Sequence, residues 1–238
     1  MLSWLFPATC ELCGESAGQG VCPECLARLQ RIPAPICLHC GAPTAGQQTD
    51  PGRCENCAGL PRAFSLARQA LRQTDEAMQL IHCFKYHRGI HLVHPLALLL
   101  NELWDKTPRL KEYKDWVLVP VPVTLGKLYT RGYNQAGELA RQLARLRHLR
   151  MMELLIRRDT GVLSQTRLTA AARRLNAMRA YRCKRPSFCL RAPVYPARIV
   201  LVDDVFTTGS TARACATQLR KLPGVREVAV LALVRIGA

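Results

Sequence analysis

Short, uninterrupted apolar runs predict the strands of this chain. The clearest are residues 117–121, 199–202 and 228–234, and weaker strand signals cover 64–71 and 153–156. Runs that are apolar at every position are typical of strands buried on both faces, as in a parallel sheet. The pattern therefore predicts a mostly parallel sheet in the part of the chain that follows residue 60.

Between these runs, apolar residues recur at helical spacing. The spacing predicts helices over residues 76–87, 90–103, 136–146, 169–178 and 211–222. Strands that alternate with helices indicate an α/β domain whose sheet is doubly wound, with flanking helices. The most apolar stretch, 92–104, is interrupted by polar residues and is shorter than the roughly 20 residues of a spanning helix. It therefore predicts a core helix and no transmembrane segment.

The first 60 residues are marked by cysteines instead. They contain four Cys-x-x-Cys pairs, formed by Cys10 and Cys13, Cys22 and Cys25, Cys37 and Cys40, and Cys54 and Cys57. Two thiolates on a tight turn can bind one ion, and two such turns complete a tetrahedral four-sulfur shell suited to Zn²⁺. The spacing therefore predicts two Zn²⁺ ions, which are structural because a closed shell leaves no open position. We expect a double zinc ribbon over 1–60 and an α/β domain over 61–238.

The order of the pairs bears on how they share the two ions. The first and third pairs are each followed by a glycine and a loop that leads to the next pair. This favours pairing of neighbours, first with second and third with fourth, over a cross-brace, which the spacing does not exclude. Thioredoxin-like redox chemistry is the other common use of the motif, but four tandem pairs argue against it. His39, inside the third pair, is interpreted as a solvated loop residue.

Net charge and the start of the chain indicate a type of partner and a compartment. The chain has 34 Lys and Arg against 17 Asp and Glu, a formal net charge of +17, which indicates a partner rich in phosphates. The start of the chain does not resemble a secretory signal, so we expect a cytoplasmic protein. In that compartment thiols stay reduced, which again favours metal binding over disulfides.

The charge is unevenly distributed. Residues 1–60 have three Arg and five Asp or Glu, whereas residues 141–198 have fifteen Lys or Arg and two acidic residues. We therefore expect single-stranded DNA to bind the α/β domain, mainly through its phosphates, with Tyr181 and Phe188 as candidates for base stacking. The alternative is that these cations form a solvated surface.

The run over residues 200–211, Val-Leu-Val-Asp-Asp-Val-Phe-Thr-Thr-Gly-Ser-Thr, carries the most specific chemistry. An apolar strand delivers Asp203 and Asp204, and a hydroxyl-rich loop then opens a helix. Backbone N–H groups and hydroxyls at a helix start bind phosphate. The expected phosphate-binding residues are Thr207, Thr208, Gly209, Ser210 and Thr211. The carboxylates would repel phosphate, so we expect them to face ribose hydroxyls or a divalent cation.

This run resembles, without a gap, the phosphoribosyl diphosphate (PRPP) signature of type I phosphoribosyltransferases. The resemblance implies a type I phosphoribosyltransferase-like fold, with Asp203 and Asp204 as the catalytic pair on the ribose hydroxyls. It implies PRPP or a ribose 5-phosphate as the ligand, with its 5′-phosphate on residues 207–211 and Mg²⁺ as a companion ion. A strand-end Asp pair followed by a Ser/Thr helix cap would explain only part of this run.

Three further segments extend the resemblance over nearly the whole chain. They are Phe84-Lys85-Tyr86, Pro120-Val121-Pro122 followed by Arg131-Gly132-Tyr133-Asn134-Gln135, and Ser164-Gln165-Thr166 followed by Arg173-Arg174-Leu175-Asn176. Together with the cysteine pairs, they make the sequence similar to the ComF/GntX family, which joins a double zinc ribbon to such a domain. The resemblance implies a protein that supports DNA uptake or the use of external DNA as a nutrient, with proteins of the uptake machinery as partners.

Two arginines are added to the expected phosphate site. Arg131 follows the strand at 117–121, where it could reach a diphosphate. Arg173 belongs to the arginine-rich stretch 157–176, which resembles the mobile lid of these transferases and is equally well explained as a solvated helix.

Catalysis stays open at this stage because no segment indicates a pocket for an acceptor base. Four scattered cysteines are interpreted as buried structural thiols, namely Cys83, Cys183, Cys189 and Cys215. The main expectation is a ComF-like protein that binds PRPP. The alternatives are an active phosphoribosyltransferase of nucleotide salvage and a non-catalytic adaptor that binds single-stranded DNA.

Overall fold

The computed structural model describes residues 9–18, 20–44, 54–86, 89–157, 180–184 and 195–237. Its strands are β1 (Leu66–Arg72), β2 (Trp116–Pro120), β3 (Arg150–Met151), β4 (Leu155–Arg157), β5 (Tyr181–Cys183), β6 (Arg198–Phe206) and β7 (Glu227–Arg235). Five of them form a sheet in the order β1-β7-β6-β2-β3, and every pairing in it is parallel. The α/β class with a mostly parallel sheet is confirmed.

The helices lie on both faces of this sheet. They are α1 (Pro23–Arg28), α2 (Asp75–Tyr86), α3 (Val93–Asp105), α4 (Pro108–Lys111), α5 (Leu125–Arg131), α6 (Gln135–Arg147) and α7 (Ser210–Leu219). Val200 and Val202 of β6 share a core with α2, α3 and α6, whereas Ile199 and Leu201 share a second core with α7. No helix among the described residues is long and apolar enough to cross a membrane.

The four strands predicted at 64–71, 117–121, 199–202 and 228–234 are present with small shifts. The signal at 153–156 also becomes a strand, but β4 pairs antiparallel with β5 in a separate two-stranded sheet. The predicted helix at 169–178 lies outside the described residues. The other four predicted helices correspond to α2, α3, α6 and α7.

Strand β6 is longer than its apolar run because pairing with β7 extends it. Asp203 pairs with Ala232 and Val205 with Val234, so both acidic residues lie within the strand. The long apolar run of β7 overrides the low strand propensity of aspartate. As a result, the two carboxylates are held on the sheet itself rather than on a loop.

The cysteine-rich N-terminal segment lies along β1, one of the two edge strands of the sheet. The Ala67 N–H donates to the carbonyl of His39 at 2.6 Å, and the Arg72 N–H donates to the carbonyl of Gln30 at 3.0 Å. An uncovered edge strand exposes unpaired N–H and C=O groups that invite aggregation. The N-terminal segment therefore protects the sheet edge.

Candidate functional site

The eight paired cysteines form two separate clusters. Within each cluster the sulfur atoms all lie within 4.8 Å of one another, and the clusters are Cys10, Cys13, Cys22, Cys25 and Cys37, Cys40, Cys54, Cys57. Neighbouring pairs therefore share a site, as the glycine-and-loop pattern predicts, and the cross-brace is excluded. We call these clusters the first and the second zinc site.

The sulfur spacing fits a tetrahedral zinc ion. The Sγ atoms of Cys13 and Cys22 are 3.8 Å apart, and those of Cys40 and Cys54 are 3.7 Å apart. Zn–S bonds of about 2.3 Å place the sulfurs of a tetrahedron about 3.8 Å from one another. Burial, followed by the neighbouring Cys40, raises the pKa of Cys57. A bound cation would offset this cost of forming the thiolate. Zinc would therefore act here as a structural cross-link.

His39 is buried rather than solvated, which corrects the expectation from its loop position. Its ring stacks on Phe64 with centroids 4.5 Å apart and an interplanar angle of 7°. Burial lowers the pKa of His39, and its Nδ1 lies 3.3 Å from the carbonyl oxygen of Ser65. The local sequence does not reveal this packing because Phe64 lies far along the chain.

A cleft opens where the sheet changes its direction of winding. The chain adds β3 on one side of β2 and then crosses to the other side to form β6 and β7. In open α/β sheets, ligands bind outside the carboxyl ends of the strands at such a switch point. The polar lining of the cleft consists of Lys85, Lys127, Arg131, Asn134, Gln135, Arg157, Tyr181, Asp203, Asp204 and Thr211.

The two carboxylates of β6 have different surroundings. Asp204 forms an ion pair with Lys85 at the end of α2, with Oδ2 and Nζ 2.9 Å apart. Asp203 accepts the N–H of Asp204 at 2.9 Å through its Oδ1. Burial, followed by the charge of Asp204, raises the pKa of Asp203 well above its usual range. Among the described residues only Asp204 has a paired cation, so the cleft holds one screened and one poorly solvated carboxylate.

The turn over residues 207–211, which we call the phosphate turn after the ligand that the sequence predicts for it, follows β6 directly and leads into α7. Gly209 has a φ of +72°, and a Cβ at this position would lie 2.6 Å from Cζ of Phe206. Both facts require glycine there. Thr207 and Thr208 are exposed, and the N-terminus of α7 opens at Ser210. The turn thus presents hydroxyls and backbone N–H groups near the carboxylates.

Basic side chains surround the cleft. Lys85, Lys127, Arg131 and Arg157 line it together with the two aspartates, so cations outnumber acids. Burial, followed by Arg157 and Arg131, lowers the pKa of Lys127, as expected for crowded cations. The excess of positive charge suits an anionic ligand.

The structure brings together four of the expected site residues, since Asp203, Asp204, Thr211 and Arg131 line one cleft. The rest of the phosphate turn adjoins this cleft at the end of β6 without lining it, and Arg173 lies outside the described residues.

Sequence reasoning assigned no role to Lys85 or Lys127. The signal available for Lys85 was its place inside the Phe84-Lys85-Tyr86 segment. For Lys127 the local sequence offers none, because α5 has no buried residue and so no helical periodicity.

Of the scattered cysteines, Cys215 is fully buried, which confirms its expected structural role, whereas Cys83 and Cys183 are only half-buried. Burial is the leading cause of a raised pKa in all three thiols. A raised pKa disfavours the thiolate, so none of them is an activated nucleophile. Cys189 lies outside the described residues.

The chain is similar to known proteins over both the cysteine clusters and the cleft. Residues 1–58 match the model of the double zinc ribbon domain. The chain is 30% identical over 221 residues to Competence protein F of Haemophilus influenzae, covering 92% of each chain. This chain belongs to the ComF family.

Two other ComF-family relatives have similar coverage. DNA utilization protein YhgH of Escherichia coli K12 is 30% identical over 235 residues, which is 96% of this chain and 97% of the relative. Competence protein ComFC of Streptococcus pneumoniae is 24% identical over 217 residues, which is 90% of this chain and 87% of the relative. ComF-family similarity thus extends across both the ribbons and the cleft.

Proposed function

We propose that this ComF-family protein binds PRPP or a ribose 5-phosphate in the cleft and serves DNA uptake or DNA utilization. The observation that carries the proposal is the convergence of Asp203, Asp204 and Thr211 with four cationic side chains at the switch point of the sheet. A phosphoribosyl ligand presents hydroxyls and phosphates together, and this cleft offers acceptors and cations side by side.

The proposed ligand would lie along the cleft in a defined direction. The carboxylates would accept hydrogen bonds from the ribose hydroxyls, and the phosphate turn would hold the 5′-phosphate at the N-terminus of α7. The diphosphate would then meet Arg131, Lys127 and Arg157, with Mg²⁺ arriving bound to the diphosphate. Arg173 is proposed as a further contact.

Two atoms of the Arg-Gly-Tyr-Asn-Gln segment support a ligand here. Oδ1 of Asn134 and Nε2 of Gln135 are buried and have no hydrogen-bond partner within the described part of the chain. Buried polar atoms are nearly always partnered in proteins. Both side chains line the cleft, so a small conformational adjustment would offer these atoms to a ligand.

Calorimetric titration of the full-length, zinc-loaded protein with PRPP and Mg²⁺ tests the proposal. The double variant Asp204→Asn with Thr208→Val should bind more weakly by about 2–4 kcal/mol, because it loses two charge-assisted hydrogen bonds. Asp115→Asn is the matched control, since this exposed carboxylate pairs with Arg198 at the opposite end of the sheet. Equal affinity in the double variant and the wild type would refute the site.

The same protein, incubated with PRPP, Mg²⁺ and a panel of bases and amines, reports on transfer through the release of diphosphate. Release that depends on one nucleobase would make the chain a phosphoribosyltransferase of nucleotide salvage. Binding without release would make the cleft a recognition site.

The role in DNA uptake or utilization rests on the relatives, whose names state competence and DNA utilization. Expression of this chain in an Escherichia coli strain lacking YhgH should restore that strain's ability to use DNA. The Asp204→Asn, Thr208→Val variant is the matched control, and it should fail if the cleft serves this role. Proteins of the uptake machinery remain the proposed partners.

Single-stranded DNA is a second candidate ligand, favoured by two exposed aromatic side chains. Tyr86 is 60% exposed and Tyr129 is 92% exposed, and both are close in sequence to cationic residues of the cleft. Aromatic faces beside cations are typical of single-strand binding surfaces. Tyr181 is only 2% exposed, so it is not the stacking residue that its sequence suggested. Phe188 lies outside the described residues.

The described basic residues of 141–198 differ in their contacts and exposure. Arg147 donates to Oδ2 of Asp105 at 2.6 Å and to the carbonyl of Asn101 at 2.7 Å, which makes it a structural residue. Arg145 and Arg150 are exposed. We therefore propose the latter two, and not Arg147, as DNA phosphate contacts.

A further inference from the structure

The second zinc site lies directly against the phosphate turn, and Arg213 of α7 connects them. Its Nη1 donates to the carbonyl oxygen of Thr208 in the turn. Its Nη2 lies 3.4 Å from the carbonyl oxygen of Asn56, which stands between the ligands Cys54 and Cys57. A single guanidinium group therefore links one metal-binding turn to the backbone that is proposed to hold phosphate.

A stack of rings forms a second connection. The ring of His39, between the ligands Cys37 and Cys40, lies parallel to the ring of Phe64. The guanidinium carbon of Arg213 lies 5.7 Å from the centroid of the Phe64 ring. The rings of Phe64 and Phe206 pack edge to face, with centroids 6.4 Å apart. Phe206 immediately precedes the phosphate turn. Both turns of the second zinc site thus reach the phosphate turn through packed side chains.

A third connection runs beneath the turn. Arg235, which is 1% exposed, donates to the carbonyl oxygen of Cys40 at 3.0 Å, and its guanidinium carbon lies 5.4 Å from the ring of Phe206. A Cβ on Gly209 would meet Phe206 at 2.6 Å and Nη1 of Arg213 at 3.1 Å. Phe206 and Arg213 therefore pack tightly against the underside of the turn.

Electrostatics favours the same arrangement. Four thiolates around one Zn²⁺ leave a net negative charge on the site. Arg235 approaches Sγ of Cys40 at 3.9 Å, and Arg68 donates to the carbonyl of Leu38 at 3.0 Å. Arg213 joins these two arginines through Nη2, and its Nη1 donates to the phosphate turn. The loaded zinc site would therefore hold Arg213 in place by charge as well as by hydrogen bonding.

We propose that Arg213 is a positioning residue that fixes the phosphate turn on the second zinc site, so that zinc bound there preorganises phosphate binding. This inference rests on the proposed function, because it assigns the turn to a phosphoribosyl ligand. A turn that is already ordered loses less conformational entropy when its ligand binds. The second ribbon thereby gains a role in binding without touching the ligand.

Calorimetry with PRPP and Mg²⁺ tests the proposal on the full-length, zinc-loaded protein. Arg213→Ala should bind PRPP about tenfold more weakly, the size expected for one lost charge-assisted interaction, while two Zn²⁺ per chain are retained. Arg213→Lys should fail to restore the affinity, because a single ammonium nitrogen replaces two Nη donors that are held in a rigid planar fork. Arg220→Ala, at the exposed end of α7, is the matched control and should bind as the wild type does.

Hydrogen exchange of the ligand-free protein separates this proposal from the proposed function. Amides of residues 207–211 should exchange faster in Arg213→Ala, and also in Cys54→Ser, which opens the second zinc site. Unchanged exchange and unchanged PRPP affinity in Arg213→Ala would overturn the proposal that Arg213 fixes the phosphate turn on the second zinc site. If the wild-type protein does not bind PRPP but the turn exchanges faster in both variants, the proposed ligand is refuted. The role of Arg213 in fixing the turn is then retained.

Discussion

The two zinc ribbons share their ligand spacing but contact the α/β domain in different ways. In the first, Cys10, Cys22 and Cys25 belong to the same hydrophobic core as α2 and α3. In the second, the four cysteines and Ala42 form a core of their own. The second ribbon meets the sheet through backbone carbonyls that accept from Arg68, Arg235 and the Ala67 N–H, and through the His39 ring. Ligand spacing therefore specifies the metal, whereas the intervening residues specify what each ribbon supports.

The contacts of the first ribbon reach the helices. Nε2 of Gln79 in α2 donates to the Glu11 carbonyl at 2.5 Å, and the Glu11 carboxylate lies 2.8 Å from His91. Arg31 forms an ion pair with Glu102 of α3 at 3.0 Å. These contacts supplement the shared apolar core, so the first ribbon acts as an extension of the helical layer.

The largest effect should separate the ribbons by stability. Cys22→Ser should lower the free energy of unfolding by more than about 4 kcal/mol, because it removes a metal site and opens the shared core. Cys54→Ser should lower the free energy of unfolding less, because the second ribbon has a separate core. Urea unfolding followed by circular dichroism measures both. Equal losses in the two variants would break the distinction between the ribbons.

The next largest effect on the free energy of unfolding should come from the buried polar contacts of the second ribbon. Arg235→Met should cost about 2–3 kcal/mol, because it leaves the buried Cys40 carbonyl and Gln69 Oε1 without this donor. Arg31→Met in the first ribbon should cost at most about 1 kcal/mol, because its ion pair with Glu102 is partly exposed. The same unfolding assay applies, and a larger loss for Arg31→Met would argue that polar contacts anchor the first ribbon instead.

A substitution in the cleft should change the free energy of unfolding by less and in the opposite direction. A ribbon gains stability from its metal, whereas a ligand site costs stability. Burial raises the pKa of Asp203, so the contribution of this residue to the free energy of unfolding is most favourable below the usual carboxyl pKa of about 3.9 and is lost as the pH rises through the raised value. Asp203→Asn should therefore raise the urea midpoint at pH 8. The gain should vanish near pH 3, and a gain that persists there would exclude the buried charge as its cause.

The smallest effect concerns DNA, which neither ribbon should bind. Binding of single-stranded DNA should show a log–log salt slope of about −2 to −3.5, as expected for roughly three to five phosphates neutralised. Arg145→Glu with Arg150→Glu should flatten the slope, whereas Arg28→Glu with Arg31→Glu in the first ribbon should not. Fluorescence anisotropy at several salt concentrations measures it. Loss of binding in the ribbon variant alone would make the zinc ribbons the DNA-binding element.

Local patterns predicted much of this fold. Cysteine spacing gave both zinc sites, and apolar runs gave four strands of the sheet, because each depends on residues adjacent in sequence. Strand order depends on pairing between distant segments, so the approach of Lys85 to Asp204 was not predictable. The burial of His39 against Phe64 was not predicted for the same reason.

Hydrogen exchange of the zinc-loaded wild-type protein, with and without PRPP and Mg²⁺, tests the binding claim most directly. Saturating ligand should slow exchange over residues 203–213 and over 127–136, and it should leave residues 10–25 of the first ribbon unchanged. Absence of protection over 203–213, or protection confined to the first ribbon, would contradict a phosphoribosyl site in the cleft.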